Sequence, residues 1–397
     1  MKSNTPVIRL RKNEHRRVLQ GHSWVFANEI GETEGAPEQG AIVAVQDAAK
    51  NFLGIGFYNK TSLIAVRLLS RADETVDADF FTRRLETASR LREQLFPGSS
   101  AYRLIHGESD FLPGLTIDRF GDTYAVQILS AGMQNYQDTI VDLLVRKYAA
   151  KCVIAKNESH YRTLEGLERE TKILAGEGAP VEFAVEGIRY EIDISSAQKT
   201  GFYFDQRENR KALDRFSYGA RVLDCYCNAG GFALHAAGAG AREVIGVDSS
   251  AQAIAAATRN AALNGAAVCS FIESDVEERL HKYADAKEKF DVVILDPPAF
   301  AKNKKSVNAA LRAYKSVNTL AMLLLNPGGV LATATCSHHI SRDAFTEIAA
   351  ASAAQTNQKI QILEYRGASP DHPVLPAMPE TEYLKFVICR LVGNGSV

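Results

Sequence analysis

The sequence predicts an α/β protein: a largely parallel, seven-stranded sheet over residues 195–397, preceded by a small all-β domain over 1–75 and an α+β domain over 76–194. Three observations predict it. From residue 195 on, short β-branched runs alternate with helical stretches, a rhythm that implies parallel strands joined by right-handed crossovers. Before residue 75 no segment has a convincing helical period, whereas glycine-bearing aromatic runs alternate as strands do. The length of 397 residues also exceeds one ordinary core.

Composition narrows the class. Apolar residues make up 46% and charged residues 23%, as in soluble globular proteins. No apolar run approaches the ~18 residues of a membrane helix, so no membrane partner is expected. The N-terminal stretch "MKSNTPVIRLRKNEHRR" is basic but lacks the apolar core of a secretory signal. Six cysteines, two of them as Cys225-x-Cys227, do not make a disulfide framework. The expectation is a cytoplasmic protein with reduced thiols. A net charge of −1 argues against a uniformly basic nucleic-acid binder. Locally, Lys2, Arg9, Arg11, Lys12, Arg16 and Arg17 face only Glu14 within residues 1–24, and Lys302, Lys304, Lys305, Arg312 and Lys315 face no acid within 299–316. Each cluster is either a solvated face or a phosphate contact.

In the first 75 residues "GAIVAVQD", "FLGIGFYN" and "SLIAVRLLS" read as strands of a small barrel or sandwich, with the basic N-terminal arm close by. A helix is predicted over 78–95, where Phe80, Phe81, Leu85, Ala88, Leu91 and Leu95 share a face, and Phe96-Pro97-Gly98 stops it. Residues 101–180 read strand, strand, helix, strand, as "YRLIHGE", "LTIDRFGDTYAVQIL", "MQNYQDTIVDLLVRKY" and "CVIAKN". A hairpin, "VEFAVEGIRYEID", turns at Glu186-Gly187. The strands of the last domain are "RVLDCY", "EVIGVD", "VCSFIES", "FDVVILD" and "GVLATAT", then "IQILEYR" and "EYLKFVICRLV" as an antiparallel hairpin. Helices are predicted near 231–239, 251–264, 275–286, 308–325 and 341–355.

Three of these strands end in acids. Asp224 precedes the turn "CYCNAGGFALHAA", in which Gly230 and Gly231 let the main chain approach a ligand as a helix begins. The G-x-G-x-x-G of dinucleotide enzymes is absent. Asp248 ends the next strand, where an acid would hold ribose hydroxyls, and Asp275 ends the third, where it could hold an adenine amino group. A site offering acids to an amine, a ribose and an adenine, with little provision for phosphate, suits S-adenosylmethionine better than NAD. Each acid alone would more often be a helix cap; three at successive strand ends favour the cofactor.

The fourth strand ends "VVILDPPAF". Prolines after an acid rigidify the chain and leave carbonyls free, so Asp296 and the Pro297 carbonyl could read the edge of an extruded base on which Phe300 stacks. The fifth strand ends "ATATCSHHIS", bringing Cys336 to the same sheet edge. Zinc would need about four suitably spaced ligands. His338 and His339 point apart, and Cys225 and Cys227 are poor completions, so no metal is expected. The remaining readings are a core thiol or a nucleophile. Thiolate addition at cytosine C6 would make C5 able to attack a methyl sulfonium, and such a thiol needs activation.

At these residues the chain resembles the RlmI-type 23S rRNA 5-methylcytosine methyltransferases. The likeness runs through "QKTGFYFDQRENR", "LDCYCNAGGF", "ILDPPAF", "TCSHH", "DHP" and "EYLKFVICR", and "GHSWVFANEI" and "FLGIGFYN" resemble that family's RNA-binding PUA domain. The resemblance implies a PUA domain, a central α+β domain and a class I, Rossmann-like methyltransferase domain. It implies S-adenosylmethionine as cofactor and large-subunit rRNA as partner, with a homodimer as one assembly to test. By position it assigns Asp224, Asn228, Gly230, Asp248 and Asp275 to the cofactor, with Phe202, Asp205 and Arg207 in the segment covering its methionine end. Cys336 falls on the nucleophile and Asp296 on the acid at cytosine N3. Pro297, Phe300, Lys302, Lys304 and Lys305 would meet RNA. Many other RNA 5-methylcytosine enzymes carry a second cysteine in the Asp-Pro-Pro region; here it reads Ala299-Phe300, as in the resembled group. The base that takes the C5 proton is left among His338, His339 and His372. Two rival readings are an amino-directed nucleic-acid methyltransferase, which needs no cysteine, and a non-catalytic RNA-binding protein.

Overall fold

The computed structural model describes residues 5–197, 199–301 and 303–392; Lys2 and Lys302 of the two basic clusters lie outside them. The chain divides into two compact units. One comprises Met1–Phe183, Ile192–Phe204 and Pro370–Thr381, and the other Ala184–Glu191, Asp205–Ser369 and Glu382–Val397.

The first unit holds two sheets. Strands β1 (Val7–Leu10), β2 (Trp24–Phe26), β3 (Ile30–Glu34), β4 (Ile42–Gln46), β5 (Phe52–Tyr58) and β6 (Ile64–Ser70) pair in the order β2-β6-β5-β4-β1-β3. The expected basic arm is therefore partly a strand. Ile8 and Leu10 alternate into the core with Val18, Val43 and Val66, while Arg9 faces Glu32 across the β1–β3 ladder and pairs with Glu32 and Glu34. Arg17 pairs with Glu29 at 2.6 Å. With Arg9 and Arg17 paired to acids remote in sequence, this cluster carries less free charge than residues 1–24 suggest. The helix Arg16–Gln20, five residues long, is too short to show a period.

The second sheet contains β7 (Ala101–His106), β8 (Leu115–Phe120), β9 (Thr123–Ile128), β10 (Cys152–Asn157) and β11 (Glu170–Ala175), in the order β11-β10-β9-β8-β7. "LTIDRFGDTYAVQIL", read as one strand, is a hairpin turning at Gly121, whose φ of 65° suits glycine; β11 was not foreseen. The helix Ala78–Leu95 starts at Asp77, whose side chain accepts from Phe80 N. Its face holds at Phe80, Phe81, Leu85 and Ala88, but Leu91 is 36% exposed and Arg92 is buried instead. A step of four from Ala88 returns to the same stripe. Arg92 is tolerated there because it bonds both oxygens of Asp110, at 2.6 and 2.7 Å, and the Asp371 carbonyl at 2.8 Å.

Strands β12 (Val181–Val185) and β13 (Ile188–Ile192) form a hairpin with Glu186 and Gly187 both at positive φ, as a two-residue turn requires. The second unit is a seven-stranded sheet of β14 (Arg221–Cys225), β15 (Glu243–Asp248), β16 (Cys269–Glu273), β17 (Phe290–Leu295), β18 (Leu325–Thr335), β19 (Lys359–Arg366) and β20 (Lys385–Val392), in the order β16-β15-β14-β17-β18-β20-β19. The first five are parallel, and β20 enters antiparallel between β18 and β19. Helices Gly231–Gly238, Ala251–Leu263, Val276–Asp285, Val307–Leu323 and Arg342–Gln355 stand where they were predicted. Both faces are covered: Leu223, Val293, Leu295 and Leu331 pack into one core, and Val222, Val292, Ile294 and Ala332 into the other. This double burial explains the continuous apolar runs.

Candidate active site

Strand order reverses beside β14, where a doubly wound sheet opens a crevice at its carboxyl edge. Asp224 stands there, fully buried. Its Oδ2 accepts the backbone N–H of Ala233 at 3.0 Å, whereas its Oδ1 has no hydrogen-bond partner among the described residues. Burial, with Asp296 and Asp248 nearby, raises its carboxyl to about 8. A buried oxygen without a donor is costly and fits an incoming ammonium.

The following loop is shaped to leave room. Tyr226 and Asn228 adopt positive φ, and so does Gly230 at 82°, where a Cβ would press on Phe271 and Ala257. At Gly231 a Cβ would lie 2.6 Å from Arg210 Nε, so glycine lets that guanidinium pack against the loop. Asp248 fixes the loop from the neighbouring strand: its Oδ2 accepts from Asn228 N at 3.0 Å and its Oδ1 from Ser250 N at 2.9 Å. Asp275 is exposed and caps Val276–Asp285 by accepting from Glu278 N. Cys225 is part of the core and Cys227 is buried.

Leu295 pairs with Thr333, so the chain ends carrying Asp296 and Cys336 leave the sheet side by side. A partly buried relay reaches Asp296. Arg366 Nε donates to Asn209 Oδ1 at 2.9 Å, Asn209 Nδ2 to Gln206 Oε1 at 2.7 Å, and Gln206 Nε2 to Asp296 Oδ1 at 2.8 Å. Because arginine only donates, each amide's orientation is fixed, and Asp296 Oδ1 is committed as an acceptor. Gln206 and Asn209 lie in the "QRENR" stretch, yet sequence reasoning gave them no role. The sequence shows only two amides beside two arginines, Gln206-Arg207 and Asn209-Arg210, without the distant partners that give the amides a role.

A second network shapes the Cys336 turn. Tyr314 Oη accepts from Thr335 Oγ1 at 2.8 Å and meets Ser337 Oγ at 3.2 Å, and Ser337 Oγ accepts from Ala301 N. One buried tyrosine thus joins the residues flanking Cys336 to the loop that follows Asp-Pro-Pro-Ala-Phe. Phe300 lies 4.6 Å from the Tyr314 ring, so part of it is occupied by the core, and Pro297 is buried. Cys336 itself is half-buried.

Other expected residues have structural partners. Phe202 belongs to the first unit, in a buried cluster with Phe183 and Phe204 at 5.2 and 5.1 Å. Asp205 accepts from Tyr383 Oη at 2.7 Å, and Arg207 is buried 3.4 Å from Glu186. Lys304 and Lys305 are exposed in a turn capped by Asn303, with Arg312 exposed on the helix that follows. Of the three histidines, His338 and His339 are exposed. His372 is not the exposed loop residue expected of it: it is buried in the first unit, bonded to Asp371 at 2.9 Å and packed on His106.

Residues 8–71 match the PUA-like domain family, and residues 151–383 match the S-adenosylmethionine-dependent methyltransferase family. A protein of Erwinia tasmaniensis named ribosomal RNA large subunit methyltransferase I is 39% identical over 390 residues, covering 96% of this chain and 98% of its own. One of the same name from Tolumonas auensis is 38% identical over 393 residues, 97% of this chain and 99% of its own. A solved structure of a Streptococcus mutans protein described as SAM-dependent methyltransferase superposes with a TM-score of 0.81 at 19% identity, over 96% of this chain and 100% of that one, which is a likeness of fold.

Proposed function

Because the chain belongs to the S-adenosylmethionine-dependent methyltransferases, with relatives named ribosomal RNA large subunit methyltransferase I, we propose that it methylates C5 of a cytosine in large-subunit rRNA through Cys336. The observation that carries this reading is the β17–β18 register, which delivers an acid and a thiol to one edge of the sheet beside the cofactor crevice.

When bound, S-adenosylmethionine supplies an electrophilic methyl group. Asp224, ionised, would accept from its ammonium, Asp248 and the glycine turn would hold the nucleoside, and Asp275 would serve the adenine. The target base leaves its stack for a pocket bounded by Pro297 and Phe300. The Cys336 thiolate adds to C6, the Asp296 carboxyl protonates N3, and C5 becomes an enamine-like nucleophile. After C5 is methylated, a base removes the C5 proton, N3 returns its proton to Asp296, and the C6–S bond breaks to release Cys336. Lys302, Lys304 and Lys305 contact RNA phosphates, together with the PUA-like domain.

The test is transfer of label from S-adenosylmethionine to unmodified rRNA, followed by mass spectrometry of the nucleosides. Label in 5-methylcytidine is expected. Label in an N-methylated purine would replace this reading with an amino-directed one.

A further inference from the structure

A cysteine with an ordinary thiol value near 8.5 is only a few per cent thiolate at neutral pH, so a nucleophilic Cys336 needs a charge nearby. β20 supplies one. Its first residue, Lys385, stands directly opposite Thr335, the last residue of β18 and the neighbour of Cys336. Lys385 is only 6% exposed. Its Nζ donates to the Tyr383 carbonyl at 3.2 Å and reaches the Ser337 carbonyl at 3.5 Å. Since Ser337 follows Cys336, the ammonium rests on the turn that presents the thiol.

The surrounding charges leave this cation without a contact anion. Among the described residues no carboxylate forms an ion pair with Lys385. Glu382, the acid acting on it, is paired with Arg342 at 3.0 Å, and Arg342 opposes its effect. Tyr383 donates its hydroxyl to Asp205, while the Tyr314 hydroxyl accepts from Thr335 Oγ1 and meets Ser337 Oγ. His338 packs 5.6 Å from the Tyr383 ring, and His339 is exposed. Burial holds the Lys385 amine below its ordinary value, while Cys336 and Glu382 raise it. A buried cation carrying only carbonyl bonds favours a nearby anion, and the group on this turn that ionises to an anion is the Cys336 thiol.

We propose that the Lys385 ammonium is the charge that holds Cys336 as its thiolate, a positioning role exerted through the nucleophile. The thiol proton passes to water, and the ammonium stays in place through addition and release. The inference rests on Cys336 as the nucleophile, but its test does not need RNA. Wild type, Lys385→Met and Lys385→Arg would be treated with iodoacetamide across pH 5–10, and modification of the Cys336 peptide followed by mass spectrometry. In wild type the rate should reach half its plateau below the ordinary thiol value of about 8.5. Lys385→Met should move that midpoint upward by about one pH unit, slowing modification roughly tenfold at neutral pH, and Lys385→Arg should largely restore it. S-adenosylmethionine titration of each variant reports whether the fold survives. A wild-type midpoint at or above 8.5 would overturn the proposal even if Lys385→Met failed to fold, as would a folded Lys385→Met with the wild-type profile. Loss of methylation in Cys336→Ala is a separate readout, so failure of the nucleophile assignment is distinguishable from failure of the lysine's role.

Discussion

At the scale of single residues, Asp224 sets the clearest pH dependence. Its carboxyl, raised by burial to about 8, is neutral in the free protein at pH 7, and under the proposed ammonium contact it ionises on cofactor binding. An acid whose folded value lies above its unfolded one loses stability as pH rises between the two. The free protein should therefore become less stable from about pH 4 to about 8, and Asp224→Asn should flatten that slope in thermal unfolding. Cofactor binding has the opposite sign. Affinity should rise between pH 6 and 7.5, by up to about tenfold per unit, with proton release visible by calorimetry in buffers of different ionisation enthalpy. A pH-independent affinity would remove Asp224 from the ammonium contact. Gly230 is the backbone counterpart: at φ 82° an alanine is strained by about 1–2 kcal/mol, and its Cβ would press on Phe271, so Gly230→Ala should weaken cofactor binding more than it lowers melting temperature.

Among the elements, the segment before β14 determines how Asp296 is presented. The relay Arg366–Asn209–Gln206 ends in a donor to Oδ1, and an oxygen engaged in that way is a poor site for a proton. Gln206→Leu should lower kcat about tenfold or more and shift its pH profile, with cofactor affinity nearly unchanged, because a donor to a charged group contributes about 1.5–3 kcal/mol. An unshifted profile would reduce the relay to packing. The same segment shows where sequence was legible and where it was not. The strands and helices of residues 195–397 could be read because both sheet faces are buried and the runs are unbroken. The acids Asp224, Asp248 and Asp296 could be placed because they close those runs. Gln206, Asn209 and Tyr314 could not, since their roles depend on partners 90, 157 and 21 residues away. Nor could strand β1 or the burial of His372: Arg9 looks solvated until Glu32 faces it, and His372 looks like loop until Asp371 and His106 enclose it.

Across the whole molecule, a net charge of −1 means that the proposed RNA substrate would have to be held by local patches. Lys304 and Lys305 are exposed and without acidic partners among the described residues, whereas Arg9 and Arg17 are already paired. Replacing Lys304 and Lys305 with alanine should reduce the slope of log affinity against log salt by about 1.4–1.8 if both meet phosphates, and leave cofactor affinity alone. Replacing Arg9 should lower stability instead, with a smaller effect on that slope. Loss of cofactor affinity in the lysine variant would move this loop from RNA to the cofactor. The central claim, a covalent bond between Cys336 and cytosine C6, is tested most directly with rRNA containing 5-fluorocytidine and S-adenosylmethionine. Fluorine at C5 cannot leave as a proton, so the adduct persists after methyl transfer. Wild type should form a denaturation-resistant protein–RNA complex whose cross-linked peptide contains Cys336, and Cys336→Ala should form none. A complex retained in Cys336→Ala, or methylation of ordinary rRNA without any trapped complex, would contradict the account.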